Sequence, residues 1–328
     1  MKPLLPRGRI EGKSIAVLHQ PHDKLFKLAL GDRPTAISLF RAFLPGKFTR
    51  HLDWRTAALQ PGSYVDREFK ASQSDILYHV KSRDSAALLY ILFEHQTTED
   101  PWLALRLLGY KVRIWNDYRK AQPAAGKLPV VIPLVLAHTQ RAWSSSTRFA
   151  SLFPACQSGP SDYAECIPDF VFQVIQLATL PFNQIVGTPL GVAVLRVMKA
   201  ARMNALLSDE VWDIAVLENL TLDEYEVIVR YILSTDLDRE AIKSRVAKLS
   251  SERLRIKAMS VADQLRQEGK QEGEIIGRKE GEKVGVLAGS IQTLQRVLGK
   301  PVTPVDVLLK RSVDQLRRQH ALLQRQLR

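Results

Sequence analysis

Two apolar segments with regularly spaced polar residues stand out in the middle of the chain. The first reads Ser-Asp-Ile-Leu-Tyr-His-Val from residue 74, and the second reads Leu-Leu-Tyr-Ile-Leu-Phe-Glu-His-Gln from residue 88. Aromatic and branched apolar residues of this kind are typical of β-strands, and the polar link over residues 81–87 is typical of a hairpin. Each predicted strand carries one acid, Asp75 or Glu94, whose charge is costly in a half-buried sheet unless something compensates it.

The hairpin geometry predicts where these two acids lie. Side chains alternate along a strand, so Asp75 shares a face with Leu77, and Glu94 shares a face with Gln96. If the turn centres on residues 84 and 85, the residue numbers of each facing pair add up to 169. Asp75 then lies opposite Glu94, with the two Cβ atoms about 5 Å apart. A hard cation such as Mg²⁺ accepts oxygen ligands and would turn the repulsion of the two carboxylates into binding. A slip of one residue would instead place the acids on opposite faces, and an edge hairpin would leave them in water.

Other predicted elements surround the hairpin. We expect a helix over residues 23–44, a helix from Asp100-Pro101 to about residue 120, an apolar strand over 128–137, and a short strand or turn over 170–177. A strand with only apolar side chains suits the interior of a mixed sheet that is covered on both faces. The order helix, strands, helix, strand predicts an α/β fold, a mixed sheet flanked by helices.

The C-terminal part of the chain changes to helical patterns. Helices are expected over 192–203, over 221–233 behind a capping box of Thr221 and Glu224, and over 238–265. Glycine then recurs every fourth residue from Gly269 to Gly289. Six helical glycines cost about 6 kcal/mol relative to alanine, so the segment is either loosely ordered or packed closely against a partner helix. Self-association through this glycine stripe is therefore our hypothesis. The predicted division is 1–185, a helical domain over 186–265, and a basic tail over 266–328, either helical or flexible.

Charge is concentrated at the C-terminal end. Residues 241–328 hold 19 Lys and Arg against 9 Asp and Glu, which accounts for +10 of the net charge of +13. A basic segment attracts DNA in a salt-dependent way, although a solvated helical tail has the same composition.

Two cysteines, Cys156 and Cys166, fit no zinc motif and suggest a reducing compartment. No apolar run approaches the roughly 18 residues of a membrane span, so a cytoplasmic protein without a membrane partner is expected.

Five short motifs occur in the order and spacing of one known family. They are His22-Asp23-Lys24-Leu25-Phe26-Lys27, Ser74-Asp75-Ile76-Leu77-Tyr78, Phe93-Glu94-His95-Gln96, Leu105-Arg106-Leu107-Leu108-Gly109-Tyr110 and Leu128-Pro129-Val130-Val131-Ile132-Pro133. With them the chain resembles the PD-(D/E)XK nuclease superfamily. Within that superfamily it resembles the bacterial recombination-promoting nucleases (Rpn), also labelled transposases. The resemblance spans residues 20–180 and implies a PD-(D/E)XK-like mixed sheet followed by a helical extension.

The resemblance also implies a chemistry. It implies a DNA endonuclease that uses Mg²⁺ or Mn²⁺, with Asp75 and Glu94 as metal ligands and as catalytic residues. Gln96 stands where the superfamily has a lysine. A glutamine can orient the attacking water, but it cannot accept a proton, so the proton acceptor is left open. Asp23 is a possible accessory residue for metal or water, with a helix N-cap as its alternative role.

Several nearby residues have two interpretations. Arg106 and Tyr110 lie four apart on one helix face, where they could contact a DNA phosphate or belong to an exposed surface. For His79 and His95 we expect packing or hydrogen bonding rather than metal binding, because Mg²⁺ prefers oxygen ligands.

Two other functions are compatible with the same residues. A catalytically inactive nuclease fold could bind nucleic acid or protein, with Gln96 marking the lost chemistry. A transposase could also join strands, although the chain has no clear helix-turn-helix for DNA recognition.

Overall fold

The computed structural model describes residues 21–60, 76–83, 88–154, 163–235 and 237–327. Contacts between residues divide the chain into two compact units, one within residues 18–262 and one from residue 263 onward. The three-part division expected from the sequence, with boundaries at residues 185 and 265, stays a prediction.

A mixed sheet lies at the centre of the first unit. Its described strands follow the spatial order β1-β2-β3-β4-β5. They are β1 (Leu52–Leu59), β2 (Ile76–Ser82), β3 (Leu88–Gln96), β4 (Val130–Ala137) and β5 (Gln173–Gln176). The first three strands pair antiparallel, whereas β4 is parallel to β3 and β5 is parallel to β4. This confirms the predicted mixed α/β sheet with flanking helices, which is compatible with a PD-(D/E)XK-like fold.

The β2–β3 hairpin has the register that the sequence predicted. Ile76 pairs with Phe93, His79 with Tyr90, and Lys81 with Leu88, so that each pair of numbers sums to 169. Asp75, the residue before β2, lies outside the described residues. Its pairing with Glu94 therefore stays a prediction, now based on an observed register over the six pairs next to it.

Eight helices of the first unit are described in full within residues 18–262. They are α1 (Pro21–Gly31), α2 (Arg33–Phe43), α3 (Gly46–Thr49), α4 (Leu103–Ala121), α5 (Pro189–Arg202), α6 (Ile214–Leu217), α7 (Leu222–Leu233) and α8 (Arg239–Ala247). The connection α4 leads from β3 to the parallel strand β4, as a crossover between parallel strands requires. Helices α5 and α7 both pack against α1.

The sheet is covered on both faces. On one face, Leu77 and Val135 share a core with Leu107 of α4. On the other face, the hydroxyl of Tyr78 donates to the carbonyl oxygen of Leu30 at the end of α1, at 2.6 Å. Every residue of β4 after its first is buried, which confirms the prediction of a strand inside a doubly covered sheet.

Two helices predicted as continuous are broken. The predicted helix over 23–44 is two helices, because Asp32 caps α2 by accepting the backbone N–H of Thr35 at 2.9 Å and Pro34 lies in the first turn. An N-cap residue has an extended backbone, and proline cannot donate to a preceding carbonyl, so a helix starts here rather than continues. The predicted helix over 238–265 is likewise interrupted, since α8 ends at Ala247 and the next helix begins at Glu252.

Other local predictions meet mixed outcomes. The capping box of Thr221 and Glu224 opens α7 as predicted. β1 has no counterpart among the elements predicted from the sequence. The predicted strand or turn over 170–177 contains β5.

The second unit is helical. It contains the end of α9 (Glu252–Val297), α10 (Val305–Leu309) and α11 (Val313–Arg325). Its buried core is formed by Ala288, Ile291, Leu308, Leu316 and Leu323. All six glycines of the repeat, Gly269 to Gly289, lie on α9. A Cβ atom added to any of five of them would meet no described atom within 4 Å: Gly273, Gly277, Gly281, Gly285 and Gly289. The glycine stripe is thus helical, and its partner stays a prediction.

Two compositional expectations can be followed in the structure. Among the described helices, no stretch combines the length and the hydropathy that crossing a bilayer requires. Cys166 is an exposed free thiol, and Cys156 lies outside the described residues.

Candidate active site

The candidate site lies at the carboxyl end of β3. Gln96 is the last residue of this strand, pairs with Ala137 of β4, and is only 7% exposed. Its carbonyl oxygen accepts the backbone N–H of His138 at 2.8 Å, so the parallel ladder continues one residue beyond β4. Gln96 is therefore held by the sheet rather than by a loop.

Glu94 and Asp23 are placed through their backbones alone. Glu94 pairs with Val135 in the β3–β4 ladder, and Asp23 lies in the first turn of α1. The side chains of both residues lie outside the described part of the chain, as does Asp75 as a whole. Their roles as ligands or accessory residues stay predictions.

The backbone of β3 offers an oxygen suited to a cation. Carbonyl groups of successive residues in a strand point toward opposite neighbouring strands. Because the carbonyl of Gln96 points to β4, the carbonyl of His95 points toward the side on which β2 pairs. The sequence predicts Asp75 on that side, directly before the first described residue of β2. Two carboxylates and a carbonyl would form an oxygen donor set, which is what Mg²⁺ and Mn²⁺ favour.

Metal-ligand clusters are missing from the described side chains. Within the described ranges, no group of three or more His, Cys, Asp or Glu side chains could hold a metal ion. Both predicted carboxylate ligands are outside that search. The candidate metal centre therefore depends on the hairpin register and on the carbonyl of His95.

The two predicted DNA-contacting residues of α4 have different environments. Arg106 forms an ion pair with Asp100, with 2.9 Å between Nη1 and Oδ2. Tyr110 is only 9% exposed and lies in the core between α4 and the sheet. This burial corrects the expectation of an exposed face at Tyr110, because the helix stripe that includes Leu107 turns inward to cover β3 and β4. A phosphate contact by Arg106 stays a prediction.

Asp100 lies just before α4. The helix predicted to start at Asp100-Pro101 starts instead at Leu103, with Trp102 as its N-cap. The carboxylate of Asp100 accepts the backbone N–H of Trp102 at 2.9 Å. A carboxylate at this position interacts favourably with the unpaired N–H groups of the first turn. The same carboxylate then binds Arg106, so it fixes both the start of the helix and this guanidinium.

Sequence reasoning missed a carboxylate that joins two loops beside the site. Glu99 accepts hydrogen bonds from the backbone N–H groups of Ser144 and Ser145, the first at 3.0 Å, and from the hydroxyl of Ser144. These bonds, those of Ser145 first, hold the pKa of Glu99 below its usual value. The loop after β3 is thus tied to the loop after β4. No local pattern around Glu99 predicts this, because the two partners are 45 and 46 residues away.

A cleft of about 340 Å³ lies beside these loops. Its lining includes Asp100, Ala104, Trp143, Ser145 and Phe172. The lining of the cleft is mostly apolar, and two of its rings, those of Trp143 and Phe172, meet edge to face with centroids 6.3 Å apart. It lies on the α4 side of the sheet, which is also the side of the core that contains Ala137.

Histidines cluster on the other face of the sheet. The rings of His22 and His138 lie 4.5 Å apart, and those of His95 and His138 lie 5.5 Å apart. His95 is buried and hydrogen-bonded, as the sequence predicted for it. His79 also agrees with its prediction, because its Nδ1 is 2.8 Å from the side-chain nitrogen of Gln60.

A comparison with known families matches this architecture. A profile of the family described as "Putative transposase, YhgA-like" matches residues 20–226. The chain belongs to this YhgA-like family. The matched range contains the whole described sheet, the helices α1 to α6 and the beginning of α7.

The curated relatives of this YhgA-like chain include active and inactive nucleases by name. Recombination-promoting nuclease RpnD of Escherichia coli O157:H7 is 27% identical over 255 residues, covering 75% of this chain and 94% of the relative. RpnA of Escherichia coli K12 is 26% identical over 262 residues, covering 76% and 85%. The inactive nuclease-like protein RpnE of the same strain is 26% identical over 270 residues, covering 80% and 85%. No solved structure matches the chain.

Proposed function

We propose that this protein is a divalent-metal-dependent DNA endonuclease that hydrolyses phosphodiester bonds. The observation that carries the proposal is the β2–β3 register, in which the two residue numbers of each pair add up to 169, from Ile76–Phe93 to Lys81–Leu88. The proposal extends this register by one pair, so that Asp75 would lie opposite Glu94. The nuclease names of RpnD and RpnA support the same reaction class.

In this proposal, Asp75, Glu94 and the carbonyl oxygen of His95 would hold Mg²⁺ or Mn²⁺. When bound, such a cation would supply Lewis acidity, lowering the pKa of a coordinated water and polarising a phosphate oxygen. The described ladders support this arrangement, because the backbone of β3 is hydrogen-bonded to β2 on one side and to β4 on the other. Asp23, at the start of α1, is a further candidate for orienting metal or water.

Gln96 positions the attacking water in this mechanism. Its amide can donate and accept hydrogen bonds but cannot take up a proton at neutral pH. The proton of the water therefore passes to a substrate phosphate or to bulk solvent. Arg106 and the basic C-terminal region contact the DNA backbone, which positions the substrate without reading its sequence.

A plasmid-nicking assay with purified protein tests the proposal. Parent protein is expected to nick supercoiled DNA with Mg²⁺ or Mn²⁺ and to stop when EDTA is added. Asp75→Asn and Glu94→Gln should each lower the rate by more than 100-fold, because each removes a charged metal ligand. Asp117→Asn, a carboxylate near the far end of α4, is the matched control and should keep the parental rate. Equal rates for Asp75→Asn and the parent would defeat the assignment.

The inactive relative keeps a second function under consideration. RpnE is as similar to this chain as RpnA, at 26% identity for both. The second candidate is therefore a nuclease-fold module that binds nucleic acid or protein without cleaving it. This candidate predicts that DNA is retained equally with and without EDTA, and that no metal supports cleavage.

The glycine stripe on α9 supports a proposal of self-association. A Cβ atom added at Gly281 would meet no described atom within 4 Å, so we expect a leucine there to be tolerated by the isolated chain. It would, however, block the close approach of a second helix. Light scattering should report an oligomer for the parent and a smaller species for Gly281→Leu. A monomeric parent would remove this proposal without affecting the endonuclease assignment.

A further inference from the structure

Three histidines and a tyrosine form a polar cluster on the face of the sheet opposite Gln96, in which His95, His138 and Tyr231 are buried and His22 is half-buried. His22 comes from α1, His95 from β3, His138 from the turn after β4, and Tyr231 from α7. The ring of His22 lies 4.5 Å from that of His138 and 5.4 Å from that of Tyr231. Four elements that are distant in sequence therefore meet at this point.

The hydrogen bonds of His138 define its protonation. Its Nε2 lies 2.6 Å from the carbonyl oxygen of Met198, and a carbonyl can only accept, so Nε2 carries the hydrogen. Burial, with smaller contributions from His22 and His95, lowers the pKa of His138 to about 2. The ring is therefore neutral at physiological pH, and a neutral ring with hydrogen on Nε2 has a bare acceptor at Nδ1.

The same reasoning gives the direction of the other contacts. His95 Nε2 lies 3.4 Å from the bare Nδ1 of His138, so His95 is the donor in this longer contact. The hydroxyl of Tyr231 lies 2.7 Å from Nδ1 of His22. Because burial raises the pKa of Tyr231, its hydroxyl keeps its proton and donates to His22. One consistent set of tautomers thus satisfies all three contacts.

Each histidine of the cluster adjoins a residue of the candidate site. His22 directly precedes Asp23, and His95 lies between Glu94 and Gln96. His138 reaches the site through its backbone N–H, which donates to the carbonyl of Gln96.

We infer that the cluster of His22, His95, His138 and Tyr231 is a positioning device for the metal centre. It holds the start of α1 against the end of β3, and it makes α5 and α7 part of the catalytic unit. The inference rests on the proposed function, since the groups it positions are those assigned to the metal. A buried polar network is costly when only partly satisfied, so loss of one bond should disturb the geometry of the rest.

Helix α7 supplies a matched control. Tyr225 lies on the same helix as Tyr231 and is also buried, at 1% exposure for each. The hydroxyl of Tyr225 has no hydrogen-bond partner among the described residues. Tyr231→Phe and Tyr225→Phe therefore remove the same atom from the same helix, but only the first breaks a bond to the cluster.

The test measures single-turnover nicking as a function of Mn²⁺ and DNA concentration. Tyr231→Phe is expected to lower the maximal rate by about 10-fold and to raise the half-saturating Mn²⁺ concentration several-fold, with the DNA dependence unchanged. Tyr225→Phe is expected to match the parent in all three quantities. A merely structural role would lower the fraction of active protein but would not change the Mn²⁺ requirement.

Two outcomes overturn the inference, and they can be told apart. If the parent cleaves DNA and Tyr231→Phe equals Tyr225→Phe in rate and Mn²⁺ requirement, the inference fails while the proposed function stands. If the parent neither cleaves nor binds Mn²⁺, both fail. Nitrogen-15 spectra of the parent give a third readout, because hydrogen on Nδ1 of His138 would contradict the hydrogen-bond assignment on which the inference is built.

Discussion

The backbone N–H of His138 donates to the carbonyl oxygen of Gln96 at 2.8 Å, one residue beyond the last ladder pair of β3 and β4. His138 belongs to the turn that follows the apolar strand, where the sequence gives no indication of a link to the candidate site. The bond makes the end of β3 part of a continuous ladder. Gln96 therefore has a fixed backbone, and its side chain can be tested without changing that backbone.

Gln96→Ala should slow DNA cleavage without weakening metal binding. The amide is proposed to orient the attacking water, and such positioning typically contributes 10- to 100-fold to a rate. We expect the single-turnover nicking rate to fall by that factor, while the half-saturating Mn²⁺ concentration changes less than twofold. Stopped reactions across a Mn²⁺ series measure both quantities.

The control for this variant is Gln173→Ala. Gln173 is a partly buried glutamine of the same sheet, on β5, and has no assigned role in the site. It should keep the parental rate. A Gln96→Ala protein that cleaves as fast as Gln173→Ala would show that the amide does not take part in the reaction.

His138 should make the fold sensitive to acid. Its pKa is lowered from 6.5 to about 2 in the folded protein by burial first. Below pH 6.5 the unfolded chain takes up a proton on this ring while the folded chain does not, so folded stability falls as the pH falls. Between these two pKa values, the free energy of unfolding falls by up to about 1.4 kcal/mol for each unit that the pH is lowered. Above pH 6.5 the ring is neutral in both states, and this loss is absent.

His138→Gln isolates this effect. A glutamine can still donate to the carbonyl of Met198, but it does not titrate. Urea unfolding at pH 7.5 and pH 5.0 should therefore show a smaller loss of stability for His138→Gln than for the parent. Equal losses in the two proteins would mean that His138 is protonated in the folded state or titrates alike in both states.

The hairpin and its register were accessible from sequence because they depend on neighbours in the chain. A polar link of fixed length between two apolar runs determines which residues face each other, and the structure has that register from Ile76 to Lys81. Local hydrogen bonding likewise made the capping box of Thr221 and Glu224 predictable. In each case the partners are at most a few residues apart or joined by one turn.

The break between α1 and α2 was missed although its cause is local. The apolar residues are spaced as in a helix both before and after Asp32. This spacing alone does not distinguish one continuous helix from two consecutive helices. Asp32 followed by a proline two residues later is a start signal for a helix, and it outweighs the pattern. The break at residues 248–251 has no proline, so its position could not be derived from breaker residues.

The histidine cluster could not be predicted, for a different reason. The bond between Tyr231 and His22 joins residues 209 apart in sequence. Its existence depends on how α7 packs on α1, which is decided by apolar contacts over the whole first unit. The sequence correctly suggested that His95 would be packed and hydrogen-bonded, but it gave no indication of its partners.

Arg33→Lys should destabilise the protein through the irregular strand β1. The guanidinium of Arg33 donates to the carbonyls of Trp54, Arg55 and Ala57, at 3.1, 2.7 and 2.6 Å. These carbonyls lie where the β1–β2 register shifts between Asp53 and Ala58 and the regular ladder is interrupted. A lysine cannot reproduce the planar fork of donors, so we expect a loss of about 1–3 kcal/mol in the free energy of unfolding.

Chemical denaturation monitored by tryptophan fluorescence measures this loss. Arg41→Lys is the matched control, because Arg41 lies on the same helix and is exposed. It should change the free energy of unfolding by less than about 0.5 kcal/mol. If Arg33→Lys has no larger effect than Arg41→Lys, the carbonyls of the irregular segment do not depend on Arg33.

Arg318→Gln should reduce the salt dependence of DNA binding if the C-terminal unit contacts the phosphate backbone. Arg318 is exposed on α11, within the region that holds most of the net positive charge. Each phosphate contact releases counterions and contributes about −0.9 to the slope of log K against log salt concentration. We expect the slope to become shallower by about 0.9, the contribution of one phosphate contact. The loss of affinity should be equal for unrelated DNA sequences.

Fluorescence anisotropy in EDTA between 50 and 200 mM NaCl measures this slope while preventing cleavage. The control is Arg41→Gln, which changes an exposed arginine of the first unit. Identical slopes for Arg318→Gln and Arg41→Gln would instead identify the C-terminal charge as a solvated helix surface, and DNA contacts would then have to come from the unit that carries Arg106.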